Sequence, residues 1–203
     1  MPKTVSKHDS PRLILASASP RRRDLLKQIG IVPDEIVSPQ VDETQRPREK
    51  PADLARRLAE AKARAVAASG RGCLVLGADT IVACGRRVLP KAAGADEARR
   101  ALTLLSGRRH RVLGGICVIG ADARARHRLV TTVVSFKRLE AREIEQYIAS
   151  GEWRDKAGGY AVQGRAAVFV RKIIGSYSNV VGLPLFETAA LLHGLGYRAD
   201  RLG

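Results

Sequence analysis

Residues 13–23 place a short apolar stretch directly before a helix start, and this order constrains the fold more than any other part of the chain. The stretch Leu13–Ala16 predicts a buried β-strand, because it is wholly apolar and is followed at once by small hydroxyl residues. Ser19 then suits a helix N-cap, and Pro20 suits the first helical position, where the missing N–H costs no hydrogen bond. The chain therefore begins with a strand that leads straight into a helix, which Gly30 closes.

Three arginines, Arg21 to Arg23, fill the first turn of this predicted helix. Free backbone N–H groups and the positive end of the helix dipole already lie there, so the three cations oppose the dipole and one another. A phosphate group would offset this cost, because a guanidinium group binds phosphate through two parallel hydrogen bonds. Successive helical side chains point about 100° apart, so we expect Arg21 and Arg22 to bind and Arg23 to face solvent or pack. Ser17 adds a hydroxyl donor beside them, and a solvated helix start stays the alternative.

Periodic patterns predict the remaining elements. A polar, proline-rich loop spans residues 39–51, and the segments 109–119 and 129–137 predict a long β-hairpin. Because strands and helices alternate before this hairpin, the predicted fold class is α/β, with a mixed sheet flanked by helices. Further strands are predicted over residues 34–38, 73–78, 81–83, 160–162 and 166–174, and helices over residues 53–69, 95–105, 140–150 and 184–193.

The chain is strongly basic, with 36 Lys and Arg against 20 Asp and Glu and a net charge of +16. Such a charge attracts polyanions and speeds encounter with charged small molecules. Aromatic residues make up only 4% of the chain, which is poor for stacking on single-stranded bases. A general arginine bias on solvated faces and a real electrostatic role both stay open. No apolar run approaches about 20 residues, and residues 1–11 lack a signal-peptide core, so we expect a cytoplasmic protein without a membrane partner.

Asp79 is the most informative acidic residue, because it interrupts an apolar stretch at residues 77–80. A buried carboxylate without a partner is costly, so Asp79 must bind a metal, pair with a cation, lie at an open cleft or cap a local turn. Lys91 is a candidate partner of Asp79 or a phosphate ligand. Glu43, in a Val-Asp-Glu loop sequence, could hold Mg²⁺ together with Asp79, although a solvated loop acid is the alternative. Lys62 lies on a charged helix pattern from which it could point inward.

A glycine-rich segment over residues 155–164 is a further candidate for the binding site. Its small residues let the backbone approach a ligand closely, and Gln163 offers both a donor and an acceptor to a base edge or a sugar. A turn between two strands explains the glycines equally well. The chain has neither G-x-G-x-x-G after its first strand nor G-x-x-x-x-G-K-[ST], so the two commonest nucleotide-binding loops are absent from the sequence.

Together these segments resemble the Maf-like nucleoside triphosphate pyrophosphatases, a family also called septum-formation-inhibitor-like proteins. The matching motifs follow the family's order along nearly the whole chain after Arg12: LILASASPRRRDLL, VDE, LAEAKARAVA, LVLGADTIV, Pro-Lys, LLSGRRHRV, DKAGGYAVQG and GSYSNVVGLPLFET. The resemblance implies an ITPase-like architecture of two lobes around a central cleft, in a single domain of residues 12–203 that follows a flexible arm of residues 1–11. It also implies hydrolysis of a nucleoside triphosphate to the monophosphate and pyrophosphate, with Mg²⁺ or Mn²⁺ as cofactor.

The resemblance also implies roles for single residues. Asp79 looks like the proton acceptor that activates water, and Glu43 like a second acidic residue at the metal. The positions that match substrate-binding residues of the family are Ser17, Arg21, Arg22, Lys62, Lys91 and Gln163. Those that match positions of base choice are Arg21, Thr80 and Gln163, whose residue types are similar to those of the branch that acts on dTTP and UTP. A nucleotide is the implied partner, and a homodimer is common in the family.

Two alternatives stay open. The first is a nucleic-acid-binding regulator of cell division without catalysis, which the positive charge favours and which predicts steeply salt-dependent binding of DNA or RNA; we do not expect nucleic acid as a specific partner. The second is a house-cleaning pyrophosphatase that prefers purine triphosphates such as ITP or 7-methyl-GTP. Pyrophosphate release from a panel of triphosphates, with and without EDTA, distinguishes these functions.

Overall fold

One mixed β-sheet with helices on both faces organises the chain. The computed structural model describes residues 10–67 and 72–199. In these residues seven strands join one sheet: β1 (Leu13–Ala16), β2 (Glu35–Val37), β3 (Leu74–Cys84), β4 (Arg87–Leu89), β5 (Arg109–Ile119), β6 (Ala125–Phe136) and β7 (Val170–Ile174). The helices are α1 (Pro20–Gln28), α2 (Pro51–Ala67), α3 (Ala95–Leu105), α4 (Ala141–Ser150), α5 (Tyr177–Val181) and α6 (Leu185–Gly194), with a 3₁₀ helix over Arg165–Phe169.

The strands lie in the order β2-β1-β3-β5-β6-β7, and β4 also pairs with β3. β1 runs parallel to β2 and β3, whereas the pairs that involve β4 to β7 are antiparallel. The parallel pairs follow from the helices α1 and α2, because parallel strands need a crossover connection between them. The predicted fold class, an α/β protein with a mixed sheet flanked by helices, is confirmed.

Strand β3 is an inner strand of the sheet. Its successive side chains point to opposite faces, so it contributes to the packing on both. Val75 and Ile81 pack with residues of α2 on one face. Leu76 packs with α1 and α6 on the opposite face, and Val82, farther along the strand, packs with α3 and α4. Helix α2 therefore covers one face of β3 along its length, while two helix pairs divide the other face between them.

The edge of β3 that faces away from β5 has an opening along it. β1 pairs with the first four residues of β3 on this edge, and β4 pairs with the last three. Residues 78–81 therefore have no ladder partner on this edge within the described chain, and Asp79 and Thr80 lie in the middle of the opening. The carboxyl ends of β1 and β4 both point to the opening, so the segments that follow them, from Ser17 and from Pro90, arrive at the same place.

Two glycines bring α2 close to the sheet beside this opening. A Cβ atom on Gly77 would lie 2.3 Å from the carbonyl oxygen of Ala59, and one on Gly115 would lie 2.2 Å from the carbonyl oxygen of Ala55. Real Cβ atoms do not approach backbone atoms so closely, so glycine is required for this spacing. Helix α2 therefore lies near enough to the strand for one of its side chains to reach Asp79.

Several elements differ in extent from the predictions. β3 is a single strand rather than two, so Asp79 lies within a strand and not in a turn. The predicted strand over residues 160–162 is wrong, because the hydroxyl of Tyr147, and not a neighbouring strand, accepts the hydrogen bond of the Ala161 N–H. The segment 166–174 begins in the 3₁₀ helix and becomes extended only at β7. Both α2 and β6 begin earlier than predicted, and the sequence patterns do not predict the short helix α5.

Some predictions fall on residues outside the described ranges. These are residues 1–9 of the predicted arm, the predicted end of the second helix at residues 68–70, and residues 200–203 of the predicted domain. The division into an arm and a domain stays a prediction. Among the described residues, no helix has both the length and the apolar character needed to cross a bilayer.

We predict that Gly77→Ala destabilises the protein, because the added methyl group has no room against the backbone of α2. Overpacking of this kind costs about 2 kcal/mol, which urea denaturation would measure as a lower free energy of unfolding. Gly194→Ala is the matched control, since a Cβ at this position in α6 would meet no atom of residues 10–67 and 72–199 within 4 Å beyond its own stretch of helix. A Gly77→Ala protein that is as stable as the wild type would contradict the close packing of α2 on β3.

Candidate active site

All nine residues predicted for the site lie around the opening at the edge of β3. Two adjoining clefts meet there and share a wall formed mainly by cationic side chains. The first cleft contains Asp79, Thr80 and Gln163, and the second contains Ser17 and Glu43. The residues that line both clefts are Ser19, Arg21, Arg22, Lys62, Lys91, Asp155 and Lys156.

A lysine ammonium joins the two acidic residues predicted for the site. Nζ of Lys62 lies 2.6 Å from Oδ1 of Asp79 and 2.6 Å from Oε1 of Glu43. The side chains of Lys62 and Asp79 are 10% and 8% exposed, whereas that of Glu43 is 48% exposed. Lys62 and Asp79 therefore form a buried ion pair, and Glu43 joins it from the solvent side. The observed partner of Asp79 is Lys62, whereas Lys91 was the candidate partner expected from the sequence.

Helix periodicity carries Lys62 into the buried face of α2. Lys62 continues the four-residue spacing of Leu54, Leu58 and Val66, all of which are buried. Its long apolar stem suits this face, because lysine can bury its methylene groups while its ammonium reaches a polar partner. The sequence signal that predicts a buried Lys62 is therefore its spacing within the apolar stripe. The charged neighbours of Lys62 on the helix do not give this information.

The electrostatic surroundings favour the anionic form of Glu43. Partial burial raises the pKa of Glu43, but the hydrogen bond from Lys62 and the positive charges of Lys62, Lys91 and Arg22 outweigh burial. The net result is a pKa below the ordinary value for glutamate. Glu43 is thus a carboxylate at neutral pH, and it faces a wall of cations.

Arg22 is buried and fixed by hydrogen bonds to three different parts of the chain. Its Nε donates to the carbonyl oxygen of Gly182 at 2.9 Å, and its Nη1 donates to Oγ of Ser17 at 3.0 Å. Its Nη2 donates to Oγ1 of Thr80 at 3.2 Å. Burial lowers the pKa of Arg22, and the charge of Asp79 partly offsets this effect. Because an arginine stays protonated in proteins, the result is a positive charge held in one place at the cleft.

The other two arginines of α1 have different surroundings. Nη2 of Arg21 donates to the carbonyl oxygen of Asp155 at 3.1 Å, and burial lowers the pKa of Arg21. Arg23 is exposed and contacts its neighbour Asp24, so of the two predicted surroundings, solvent and packing, the structure shows solvent. Ser19 is the N-cap residue as predicted, but its side chain makes no capping hydrogen bond. The N–H groups at the start of α1 are therefore not blocked by the Ser19 hydroxyl.

Lys91 reaches the clefts from the end of β4, beside the glycine-rich segment. An isolated β-bridge pairs Lys91 with Ala157, and the Gly158 N–H donates to the carbonyl oxygen of Leu89 at 3.0 Å. Gly158 has a φ of +71°, and a Cβ there would lie 2.8 Å from the Val82 side chain. Glycine at this position therefore lets the two segments meet, and their positions at the site depend on each other.

Gly182, whose carbonyl oxygen accepts a hydrogen bond from Arg22, was not among the residues predicted for the site. Gly182 follows α5, and the buried Asn179 ties α5 to the sheet. Nδ2 of Asn179 donates to the carbonyl oxygen of Val112 at 3.1 Å and to Oγ1 of Thr132 at 3.0 Å. Gly114 makes room for this side chain, as a Cβ there would lie 1.8 Å from Oδ1 of Asn179. Residues 175–182 contain two serines, an asparagine and two glycines, a composition that indicates a turn or loop but not this contact.

Gln163 is exposed in the first cleft, on a segment that two tyrosines hold. Oη of Tyr160 lies 2.8 Å from Nε2 of the buried His110. The Ala161 N–H donates to Oη of Tyr147 at 3.0 Å. The backbone before Gln163 is therefore well supported, and the amide group offers a donor and an acceptor to a ligand.

The two acidic residues suit a divalent cation. Two carboxylate oxygens that converge on one ammonium group can equally contact one metal ion, since both are anionic oxygen donors. Mg²⁺ commonly takes one or two carboxylates and completes its coordination with water and substrate phosphate oxygens. Asp79 and Glu43 are therefore the residues that would hold the cation, beside the cationic wall that would hold the phosphates.

The chain is similar to known proteins along most of its length. A family model described as Maf-like protein matches residues 12–195. The dTTP/UTP pyrophosphatase of Paramagnetospirillum magneticum is 62% identical over 185 residues, which cover 91% of this chain and 97% of that protein. The dTTP/UTP pyrophosphatase of Rhodospirillum rubrum is 58% identical over 191 residues, which cover 94% and 91%. The solved structure of the Staphylococcus aureus Ham1 protein matches 62% of this chain and 71% of that chain, with a TM-score of 0.40 and 15% identity, a likeness too weak for any conclusion.

Burial lowers the pKa of His110 to about 4 from an ordinary value of 6.5. The unfolded chain therefore takes up a proton on this side chain at a higher pH than the folded protein does. The stability that neutral His110 contributes is complete above the unfolded pKa and is lost as the pH falls towards the folded pKa.

We predict that the free energy of unfolding falls as the pH is lowered from about 7.5 to about 5, and that this fall is about 2 kcal/mol larger in the wild type than in His110→Gln. Glutamine does not titrate, yet it can still accept a hydrogen bond from Tyr160. Chemical denaturation at both pH values measures the difference, and His193→Gln, at an exposed position, is the control that should behave as the wild type. The same pH dependence in His110→Gln as in the wild type would contradict a buried neutral His110.

Proposed function

The chain belongs to the Maf-like protein family, and we propose that it is a pyrophosphatase that hydrolyses dTTP and UTP to the nucleoside monophosphate and pyrophosphate. The observation that carries this proposal is the pair of carboxylates joined by Lys62 at a cleft with a cationic wall. Such a site can hold a triphosphate and activate water beside it. The names of the two relatives, both above half identical to this chain, support dTTP and UTP as substrates.

The lining of the two clefts suggests how the substrate lies. The residues found only in the first cleft are largely uncharged and include Val82, Tyr160 and Gln163. The cations lie mainly in the wall that both clefts share. We therefore place the pyrimidine base and sugar in the first cleft and the triphosphate along the shared wall, because phosphate oxygens need positive charge and a base edge needs neutral donors and acceptors.

Asp79 is the group that activates water in this proposal. Its Oδ1 accepts a hydrogen bond from Lys62, and within the described chain its other oxygen is free to accept one from a water molecule. The water attacks the α-phosphorus and gives its proton to Asp79, the bond between the α-phosphorus and the bridging oxygen breaks, and pyrophosphate leaves. Asp79 is buried, and the hydrogen bond from Lys62 fixes the orientation of its carboxylate. A base that is already oriented fits this role.

The cationic wall stabilises the charge that develops during this attack. Negative charge grows on the phosphoryl oxygens and on the leaving pyrophosphate, and Arg21, Arg22 and Lys91 are placed to neutralise it. Arg22 needs little rearrangement, because three hydrogen bonds already fix it. Asp79 and Glu43 would hold a divalent cation, which would supply further positive charge for the developing phosphoryl charge.

Two of the predicted specificity residues act in different ways in this proposal. The hydroxyl of Thr80 donates to the carbonyl oxygen of Gly182 at 3.3 Å and accepts from Arg22, so it is already engaged within the protein. Thr80 therefore acts on the substrate by orienting Arg22. Gln163 contacts the base itself, since its amide lies exposed in the first cleft. The cytoplasmic location and the homodimer stay predictions.

We expect Asp79→Asn to lower kcat for dTTP by at least about 100-fold at saturating Mg²⁺, because an amide accepts no proton from water. Pyrophosphate release measures this rate, and removal of metal with EDTA should abolish it in the wild type. Asp122→Asn, at an exposed position between β5 and β6, is the matched control and should be fully active. Turnover of Asp79→Asn near the wild-type rate would rule out the proposed role of Asp79.

Replacement of Gln163 should change which base is preferred. In Gln163→Ala, kcat/KM for dTTP and UTP should fall by about tenfold relative to CTP and GTP, which corresponds to the loss of one neutral hydrogen bond to the base. A substrate panel measures the ranking, with Gln28→Ala on the exposed end of α1 as the control. An unchanged ranking would exclude contact between Gln163 and the base. If the wild type preferred ITP or GTP, its substrates would be purine and not pyrimidine triphosphates.

A further inference from the structure

Glu43 lies in a long connection that has no helix or strand of its own, between β2 and α2. A carboxylate that must meet a metal ion needs a fixed backbone, so the loop has to be held to the rest of the protein. One such contact is the pair between Glu43 and Lys62. This contact is not independent of the site, because the same ammonium also binds Asp79.

A second tie holds the loop to α2 through Arg57. Nε and Nη2 of Arg57 donate to the two carboxylate oxygens of Glu49 at 2.7 and 2.9 Å. Nη2 also donates to the carbonyl oxygen of Thr44 at 2.9 Å, and Thr44 directly follows Glu43. The side chains of Arg57 and Glu49 are 20% and 9% exposed, so water competes little with this bidentate contact.

Glu49 also organises the loop from within. Its Oε2 accepts from the Arg46 N–H at 3.0 Å, and its carbonyl oxygen accepts from Nε2 of Gln45 at 2.8 Å. The hydrogen bond from Arg57 lowers the pKa of Glu49 to about 2, so the carboxylate stays charged throughout the pH range in which the protein would be assayed. The contacts of Arg57 and Glu49 therefore hold both ends of the segment that follows Glu43.

We propose that Arg57 and Glu49 form a clasp that positions Glu43 for the divalent cation, independently of Lys62. The proposal rests on the function given above. A cation that binds Glu43 repels the ammonium of Lys62 and weakens the contact between Lys62 and Glu43. The clasp shares no atom with the carboxylate pair, because Arg57 donates to Glu49 and to the carbonyl oxygen of Thr44. Arg57 is thus a positioning residue, which acts on the metal through Glu43.

The test compares metal binding in four variants of the full chain. Arg57→Lys keeps the positive charge but cannot form the planar two-point contact with Glu49 together with the bond to Thr44. Glu49→Gln removes the other partner and guards against a folding defect in a single variant. Arg56→Lys is the matched control, since Arg56 is exposed on the same helix and its ion pair with Asp53 is long, at 3.7 Å. Glu43→Gln tests whether the carboxylate of Glu43 itself contributes to metal binding.

The measurements are the affinity for Mn²⁺ by electron paramagnetic resonance, the rate of hydrogen–deuterium exchange in residues 42–49, and the Mg²⁺ concentration that gives half-maximal activity. We expect Arg57→Lys and Glu49→Gln to bind Mn²⁺ about tenfold more weakly, as is typical when a group that orients a metal ligand is removed. Exchange in the loop should be faster, and kcat should return towards the wild-type value at saturating metal. Arg56→Lys should match the wild type.

Unchanged Mn²⁺ affinity in Arg57→Lys and Glu49→Gln, with a loss in Glu43→Gln, would overturn the clasp and leave the proposed function intact. A loss of thermal stability without a change in metal affinity would overturn it as well, because the contact would then be only structural. Unchanged affinity in Glu43→Gln would overturn both the clasp and the role of Glu43 at the metal, whereas pyrophosphate release that depends on Asp79 would still support the pyrophosphatase.

Discussion

The buried ion pair between Lys62 and Asp79 is the interaction on which the arrangement of the site depends. Asp79 depends on Lys62 in this position, because a buried charge that loses its partner costs about 3–5 kcal/mol. The pair forms because α2 lies close to β3, and Gly77 and Gly115 leave room for that approach. The chemistry of the site therefore rests on backbone packing as much as on the charged residues themselves.

Because the edge of β3 is open at residues 78–81, residues on opposite faces of the sheet can line the same cleft. Asp79 points to the face covered by α2, and Thr80 points to the opposite face, where it meets Arg22. In a fully paired strand such neighbours would be separated by the sheet. Here the ladder is interrupted at both residues, so the acid from one face and the arginine from the other line the same cleft. The segments after β1 and β4 complete it.

Much of this could be predicted from the sequence, and the exceptions have a common cause. Local patterns correctly predicted the first strand and the helix with its arginines, because hydrophobic period and helix-start chemistry act over a few residues. The strand expected at residues 160–162 does not form, since the Tyr147 side chain takes the hydrogen bond that a ladder would have used. The clasp of Arg57 and Glu49 could not be foreseen either, because it joins a helix to a loop of irregular backbone.

The sequence by itself determined which chemical groups the protein has and on which elements they lie: arginines at a helix start, an acid within an apolar strand, and a glutamine after a glycine-rich segment. It also carried the family resemblance that the comparisons confirmed. The tertiary structure alone decided which cation pairs with Asp79, how Arg22 is held by Gly182, and that both acids meet at one ammonium. Charge and periodicity are local properties, whereas a contact between residues far apart in sequence depends on how closely helices and strands pack, and that distance is set by the whole fold.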